Sequence, residues 1–79
     1  MSITVLFFGA TADIAGKRKQ SIEMIDNEPA RKVFERMLAA YPSLTTHKLH
    51  FSVNQQFATG DEIVREGDEL AIFTAVSGG

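Results

Sequence analysis

Residues 69–76 read ELAIFTAV, and this stretch decides the fold. Successive side chains of a β-strand point to opposite faces of the sheet. Here both faces are apolar, with Leu70, Ile72 and Val76 on one face and Ala71, Phe73 and Ala75 on the other. A strand of this kind is typical of the interior of a sheet.

The other end of the chain repeats this pattern. Residues 3–8 read ITVLFF, an apolar run bounded by Gly9, and they predict a second strand that is buried on both faces. Two such strands are best placed side by side at the centre of a mixed sheet. Residues 20–25, QSIEMI, alternate and predict a strand that pairs with the first as a hairpin. The alanines of the connection before Gly16 predict one helical turn.

A helical period replaces the strand pattern from residue 30. The apolar positions recur every three or four residues: Ala30, Val33, Phe34, Met37, Leu38 and Tyr41. They predict an amphipathic helix of about three turns. Residues 26–28 offer capping side chains and negative charge at its start, Pro29 fits its first turn, and Pro42 disfavours helix at the residue before it.

The remaining segments complete an α+β fold. Residues 49–54, LHFSVN, predict a strand, and residues 54–57 predict a tight turn into a short extended piece. The element order is then β-β-α-β-β, which predicts a mixed sheet of four or five strands with one helix across one face. We expect one domain over residues 1–76, followed by a flexible diglycine tail at residues 77–79.

One helix covers only one face of such a sheet, so the second face is expected to be polar or to meet a partner. Phe7 and Phe73 lie on the two central strands, where both could point away from the helix, and Phe57 could join them. Periodicity leaves open the alternative that all three belong to the core, because both faces of the central strands are apolar.

Composition limits the classes of function. Seventy-nine residues fit one domain with a small core. The net charge is −2 and no cluster of Lys and Arg could follow a phosphate backbone, so nucleic acid is not an expected partner. The lack of cysteine excludes disulfides and a Cys nucleophile. The first residues, MSITVLFF, lack signal-peptide features and are too short to span a bilayer, so we expect a cytoplasmic protein without membrane contact.

Three candidate sites for chemistry are weak. Gly9, Gly16 and Lys17 suggest a phosphate-binding loop, but the spacing is wrong and no Ser or Thr follows the lysine, so a surface turn is favoured. His47 and His50 stand three residues apart, yet a metal site needs a third ligand, and surface histidines are favoured. No Ser-His-Asp or paired-carboxylate arrangement can be singled out. The sequence therefore indicates no catalytic centre, bound metal or bound cofactor.

The C-terminal Gly78 and Gly79 carry the strongest chemical indication. The α-carboxylate of Gly79 is ionised at neutral pH and is a poor electrophile, but activation by a nucleotide would make it an acyl adenylate that sulfur or nitrogen attacks. Glycine suits this use because the absent Cβ leaves the acyl carbon accessible. Counted from Ala75, five residues reach about 15 Å beyond the sheet. The chain is then predicted to be a substrate that carries a group, while the catalyst is another protein.

Several segments together resemble a known family: VLFFG at 5–9, Gly16, the central helix, VNQQ at 53–56, GDELAIF at 67–73 and VSGG at 76–79. The chain is similar to small subunits of molybdopterin synthase, in the MoaD/ThiS group of ubiquitin-like β-grasp sulfur carrier proteins. Two regions depart from the family pattern. Thr74 and Ala75 stand where two prolines are common, and residues 11–14 replace an Arg-Glu pair often found after the first strand.

The resemblance implies a reaction cycle in which partners perform the catalysis. An adenylating enzyme related to ubiquitin activators would activate Gly79 with ATP, and a sulfurtransferase would convert it to a thiocarboxylate. The tail would then enter the large, catalytic subunit of the synthase and give its sulfur to cyclic pyranopterin monophosphate. The family suggests a heterotetramer of two small and two large subunits.

The resemblance also implies which residues meet the partners. Gly79 would carry the sulfur and Gly78 would give access to it. The partner interface would comprise Phe7, Phe57, Phe73, Val76 and Ser77.

Other functions stay open at this point. One is a sulfur carrier for another pathway, such as thiamine thiazole synthesis, although the LFFG start and the VSGG end favour molybdopterin. A second is a ubiquitin-like modifier that forms isopeptide bonds through Gly79. A third is a plain interaction domain whose tail is inert.

Overall fold

The computed structural model describes residues 1–74, which form seven strands and two α-helices. The strands are β1 (Ser2–Phe7), β2 (Lys19–Glu23), β3 (Glu28–Pro29), β4 (Leu49–Val53), β5 (Gln56–Phe57), β6 (Ile63–Val64) and β7 (Glu69–Thr74). The helices are α1 (Ala10–Ala15) and α2 (Ala30–Ala40), and a 3₁₀ helix follows at Pro42–Thr46. The predicted boundary between domain and tail, at residues 76 and 77, lies outside the described residues.

Five of the strands form one mixed sheet in the order β2-β1-β7-β4-β5. β1 and β7 pair in parallel at its centre, and the other pairs are antiparallel. β3 and β6 form a separate two-stranded sheet. The predicted mixed sheet, with the two terminal apolar strands adjacent, is therefore confirmed, and the hairpin partner of β1 is β2 as expected.

The core lies between one face of the five-stranded sheet and α2. We call this the inner face, and the opposite one the outer face. Inner-face side chains of the central strands are fully buried together with the apolar stripe of α2: Ile3, Val5, Leu70, Ile72, Val33 and Met37. On the outer face, Thr4, Leu6, Ala71 and Phe73 are only partly covered. The prediction that both central strands are buried on both faces is therefore wrong for the outer face, because no described element packs on it.

The start of α2 differs from the prediction of a side-chain cap. Pro29 occupies the N-cap position, and no side chain caps the helix there. The loop before β6 supplies acceptors instead, since the backbone N–H of Ala30 donates to the carbonyl oxygen of Glu62 at 2.7 Å and that of Arg31 donates to Gly60 at 3.0 Å. Residues 26–28 are therefore not the cap, and a long-range contact takes that role.

The Glu62 carboxylate in turn holds that loop. It accepts hydrogen bonds from the backbone N–H groups of Thr59 and Gly60, each at 2.8 Å. These bonds, from Thr59 first and then from its own backbone N–H and that of Gly60, lower the pKa of Glu62 from 4.5 to about 2. The ionised carboxylate therefore fixes the loop against the first turn of α2.

A second turn sets the start of β7. Asn54 and Gln55 have φ angles of 50° and 70°, which form the predicted tight turn between β4 and β5. The Asn54 amide donates to Asp68 at 3.0 Å, and its carbonyl oxygen accepts from the backbone N–H of Glu69 at 3.0 Å. Because of these bonds, the VNQQ and GDEL segments meet where β7 begins. Within residues 1–74, no helix is long and apolar enough to cross a membrane.

Candidate functional site

The outer face of the sheet presents the first candidate site. Strand register places Leu6 beside Ala71, and it places Ser52 between Ala71 and Phe57. Phe73 lies opposite His50 in the same ladder. Apolar side chains of β1, β7 and β5 therefore lie on the face that α2 leaves uncovered, and β4 contributes Ser52 and His50 between β7 and β5.

Three rings meet at the β5 side of this face, and we call them the aromatic cluster: His50, Phe57 and Phe73. The His50 and Phe73 ring centroids lie 6.0 Å apart in a stacked arrangement, and Phe57 meets Phe73 edge to face at 5.8 Å. The Phe57 ring also approaches His50, at 6.5 Å. Phe57 is 79% exposed. A group of contacting, exposed rings is typical of a protein interaction surface.

Phe7 does not belong to this surface. Its side chain is 2% exposed and meets the Tyr41 ring edge to face at 5.6 Å, in the core below α2. The prediction that Phe7 points away from the helix is therefore wrong. Phe7 shares its face of β1 with Ile3 and Val5, and its pairing with Ile72 places it on the inner face, whereas Phe73 lies on the outer one.

His50 is the residue of the cluster that sequence reasoning missed. It was considered with His47 as a metal ligand, but His50 lies in strand β4 while His47 follows the 3₁₀ helix. Among residues 1–74, no group of three His, Cys, Asp or Glu side chains is placed to hold a metal ion. Only the pairing of β4 with β7 brings His50 to the cluster.

The second candidate site is the edge of the sheet where β7 leads to residue 75. The parallel central strands end together there, and the backbone N–H of Phe8 donates to the carbonyl oxygen of Ile72 at 3.1 Å. The fully buried Thr11 hydroxyl lies 2.7 Å from the carbonyl oxygen of Phe8 and 2.9 Å from that of Ile72, and it donates to this pair. Thr11 therefore holds α1 against the end of strand β7.

Thr11 belongs to the segment that departs from the family pattern. Gly9 and Gly16 are exposed and have positive φ angles of 58° and 76°, as a surface turn predicts, but the residues between them form α1, in which Thr11 is buried. The predicted site residues Val76, Ser77, Gly78 and Gly79 lie outside the described residues, so their roles stay predictions.

Comparisons with known proteins agree on one family. The model of the ThiS family matches residues 5–79. The molybdopterin synthase sulfur carrier subunit of Chlamydomonas reinhardtii is 31% identical over 83 residues, and the alignment covers 100% of both chains.

Solved structures share the fold. SAMP1 from Haloferax volcanii, a small archaeal modifier protein, superposes with a TM-score of 0.84 at 25% identity, covering 100% of both chains. The complex of subunits 1 and 2 of molybdopterin-converting factor from Helicobacter pylori contains a chain that superposes with a TM-score of 0.69 at 20% identity, covering 100% of both chains. The latter likeness shows the β-grasp fold alone.

Proposed function

The chain belongs to the ThiS family, and on that premise we propose that it is a sulfur carrier that acts as the small subunit of a molybdopterin synthase. The observation that carries the proposal is the full-length similarity to the sulfur carrier subunit from Chlamydomonas reinhardtii. The family match extends to residue 79 and therefore includes the two glycines on which the chemistry depends.

The chemistry begins at the α-carboxylate of Gly79. A carboxylate oxygen attacks the α-phosphorus of ATP on a separate adenylating enzyme, and diphosphate leaves. Hydrosulfide supplied by a sulfurtransferase then attacks the acyl carbon, and AMP leaves with its electron pair, so a thiocarboxylate forms. In this proposal ATP is bound by the activating enzyme, and the carrier itself holds no cofactor. A cytoplasmic location belongs to the same proposal, since activation consumes ATP.

Sulfur transfer takes place in the large subunit. The thiocarboxylate enters its active site, and its sulfur bonds to cyclic pyranopterin monophosphate as an acyl thioester while an oxygen substituent of the pterin side chain leaves. Water then hydrolyses the thioester, so that the sulfur stays on the pterin and the Gly79 carboxylate is regenerated. The large subunit supplies the catalytic side chains, Gly78 provides room for the tail, and Val76 and Ser77 contact the partner. The exposed aromatic cluster supports this assignment, because a carrier needs a docking surface beside its reactive end. Two copies of each subunit would form the assembly.

Intact mass spectrometry tests this proposal. Protein incubated with an activating enzyme, ATP and a sulfur donor is expected to gain the mass difference between sulfur and oxygen. Deleting Gly79 should abolish the gain, whereas the matched tail variant Ser77→Ala should keep it. Reconstitution with a large subunit and the pterin precursor should then yield molybdopterin. A wild-type chain that stays a free carboxylate under these conditions would contradict the proposal.

A second candidate function is conjugation to other proteins through Gly79. The similarity to an archaeal modifier protein favours it, because an acyl adenylate or thioester can also be attacked by a lysine amine. Digestion of cellular proteins would then release lysine peptides that bear a Gly-Gly remnant from this chain. A role in thiamine thiazole synthesis is tested by the same reconstitution, with the sulfur acceptor of that pathway supplied in place of the pterin precursor.

A further inference from the structure

A cleft of about 580 Å³ opens beside the edge where β7 leads to residue 75, and we call it the tail-side cleft. Its floor is apolar and includes Leu6, Phe8 and Ala12. Arg18, Lys19 and Asp13 also line it. Phe8 is 52% exposed, a large area for a ring on such a small domain. The cleft therefore combines an apolar floor with a mainly cationic rim.

The topology places this cleft next to the tail. β1 and β7 are parallel, so Phe8 lies at the same edge of the sheet as the end of β7. Thr74 is two residues beyond Ile72, which accepts the hydrogen bond of Phe8, so the strand rises by only about 7 Å between that bond and its last described residue. A protein that receives the tail must cover this edge, and the cleft is then within its reach.

The cationic rim is a local departure from the acidic balance of the chain. Lys17, Arg18 and Lys19 follow one another and are all exposed, while the net charge is −2. The ion pairs among residues 1–74 use other cations, namely the N-terminus, Arg31 and Arg36. Among residues 1–74, Asp13 is the single carboxylate that lines the cleft. The rim is therefore complementary to an anionic group that a partner provides.

We infer that the tail-side cleft is a second docking point for the large subunit, and that it takes an acidic segment of that subunit with an aliphatic or aromatic side chain for the floor. This inference rests on the proposed function. A stable complex buries about 800 Å² of surface on each partner. That area is larger than the area that three partly exposed rings present. Leu6 and Ala71 continue the outer face from the aromatic cluster to the cleft, so the same partner extends over both. Briefer contact with the activating enzyme requires less area.

Charge reversal tests the inference. Affinity for the large subunit is measured by calorimetry at a series of salt concentrations from low to high. Arg18→Glu and Lys19→Glu should each weaken binding about tenfold at low salt, and the difference should shrink as salt rises. Lys32→Glu, an equal charge change on exposed α2, should stay within about twofold of wild type. Phe8→Ala should weaken binding at every salt concentration, because the floor contact is apolar.

Four outcomes would overturn the inference. The first is an equal loss of affinity for the large subunit in Arg18→Glu and in Lys32→Glu. The second is that Arg18→Glu and Lys19→Glu weaken binding to the activating enzyme but leave binding to the large subunit unchanged. The third is a change of the Phe8 and Arg18 amide signals on removing residues 75–79 from the isolated chain, which would show that its own end fills the cleft. The fourth is self-association in sedimentation that Arg18→Glu abolishes. If the wild-type chain binds no large subunit, the proposed function fails instead, so the two failures are distinct.

Discussion

Leu70 and Ile72 on the inner face of β7 are fully buried, whereas Ala71 and Phe73, their neighbours in the same strand, are only partly covered. Both sets are apolar, so hydrophobicity alone does not assign their roles. The difference comes from α2, which packs on one face and leaves the other uncovered. One strand therefore supplies the core with one set of side chains, and the other set forms the surface for which docking is proposed.

The largest effect on stability is expected from the inner face. Leu70→Ala removes a side chain with no solvent exposure and leaves a cavity, so the free energy of unfolding should fall by about 2–5 kcal/mol. That is a large share of the roughly 5–15 kcal/mol that stabilises a typical domain. Denaturant titration measures it.

The matched truncation on the outer face is Phe73→Ala. Its ring is already in contact with water, so the loss of stability should be distinctly smaller than for Leu70→Ala. Equal losses for the two variants would mean that the outer face is also core, and the comparison of the two faces would fail.

The next effect concerns binding and is expected from the outer face. Phe73→Asp places a carboxylate between His50 and Phe57, and a partner would have to bury it without a counter-charge. Affinity for the large subunit should fall by at least about 2 kcal/mol, the scale of an interface hot spot, while circular dichroism shows a folded domain. Ser43→Asp adds the same charge in the exposed 3₁₀ helix that follows α2, and it should bind nearly as well as wild type.

Periodicity predicted the mixed sheet, the helix and the pairing of the terminal strands, because these features depend on local pattern and on strand burial. It could not predict the orientation of Phe7, since both faces of β1 are apolar and the position of α2 decides which one is covered. His50 joins the cluster through a pairing with a residue 23 positions away in the chain, and the cap of α2 comes from a loop about 30 residues later. Contacts of this range leave no local signature.

The smallest effect on stability is expected from Glu62. Its carboxylate holds the loop that caps the start of α2, the helix that covers the inner face. Its pKa is about 2 in the folded chain and 4.5 ordinarily, so the ionised form stabilises the fold. That contribution is fully present above pH 4.5 and is lost as the pH falls toward 2, because the carboxylate then becomes protonated. Glu62→Gln should lower the midpoint temperature of unfolding at pH 7. The stability of this variant should also fall less steeply than that of wild type as the pH is lowered.

Glu35→Gln is the matched control, since Glu35 is exposed on α2 and its side chain makes no hydrogen bond or ion pair with the rest of residues 1–74. It should leave both the midpoint and the acid slope close to those of wild type. Thermal unfolding at a series of pH values between 2 and 7 measures the two variants together. If Glu62→Gln keeps the wild-type acid slope, the loop is held by its backbone bonds to Ala30 and Arg31, and the cover of the inner face does not depend on this carboxylate.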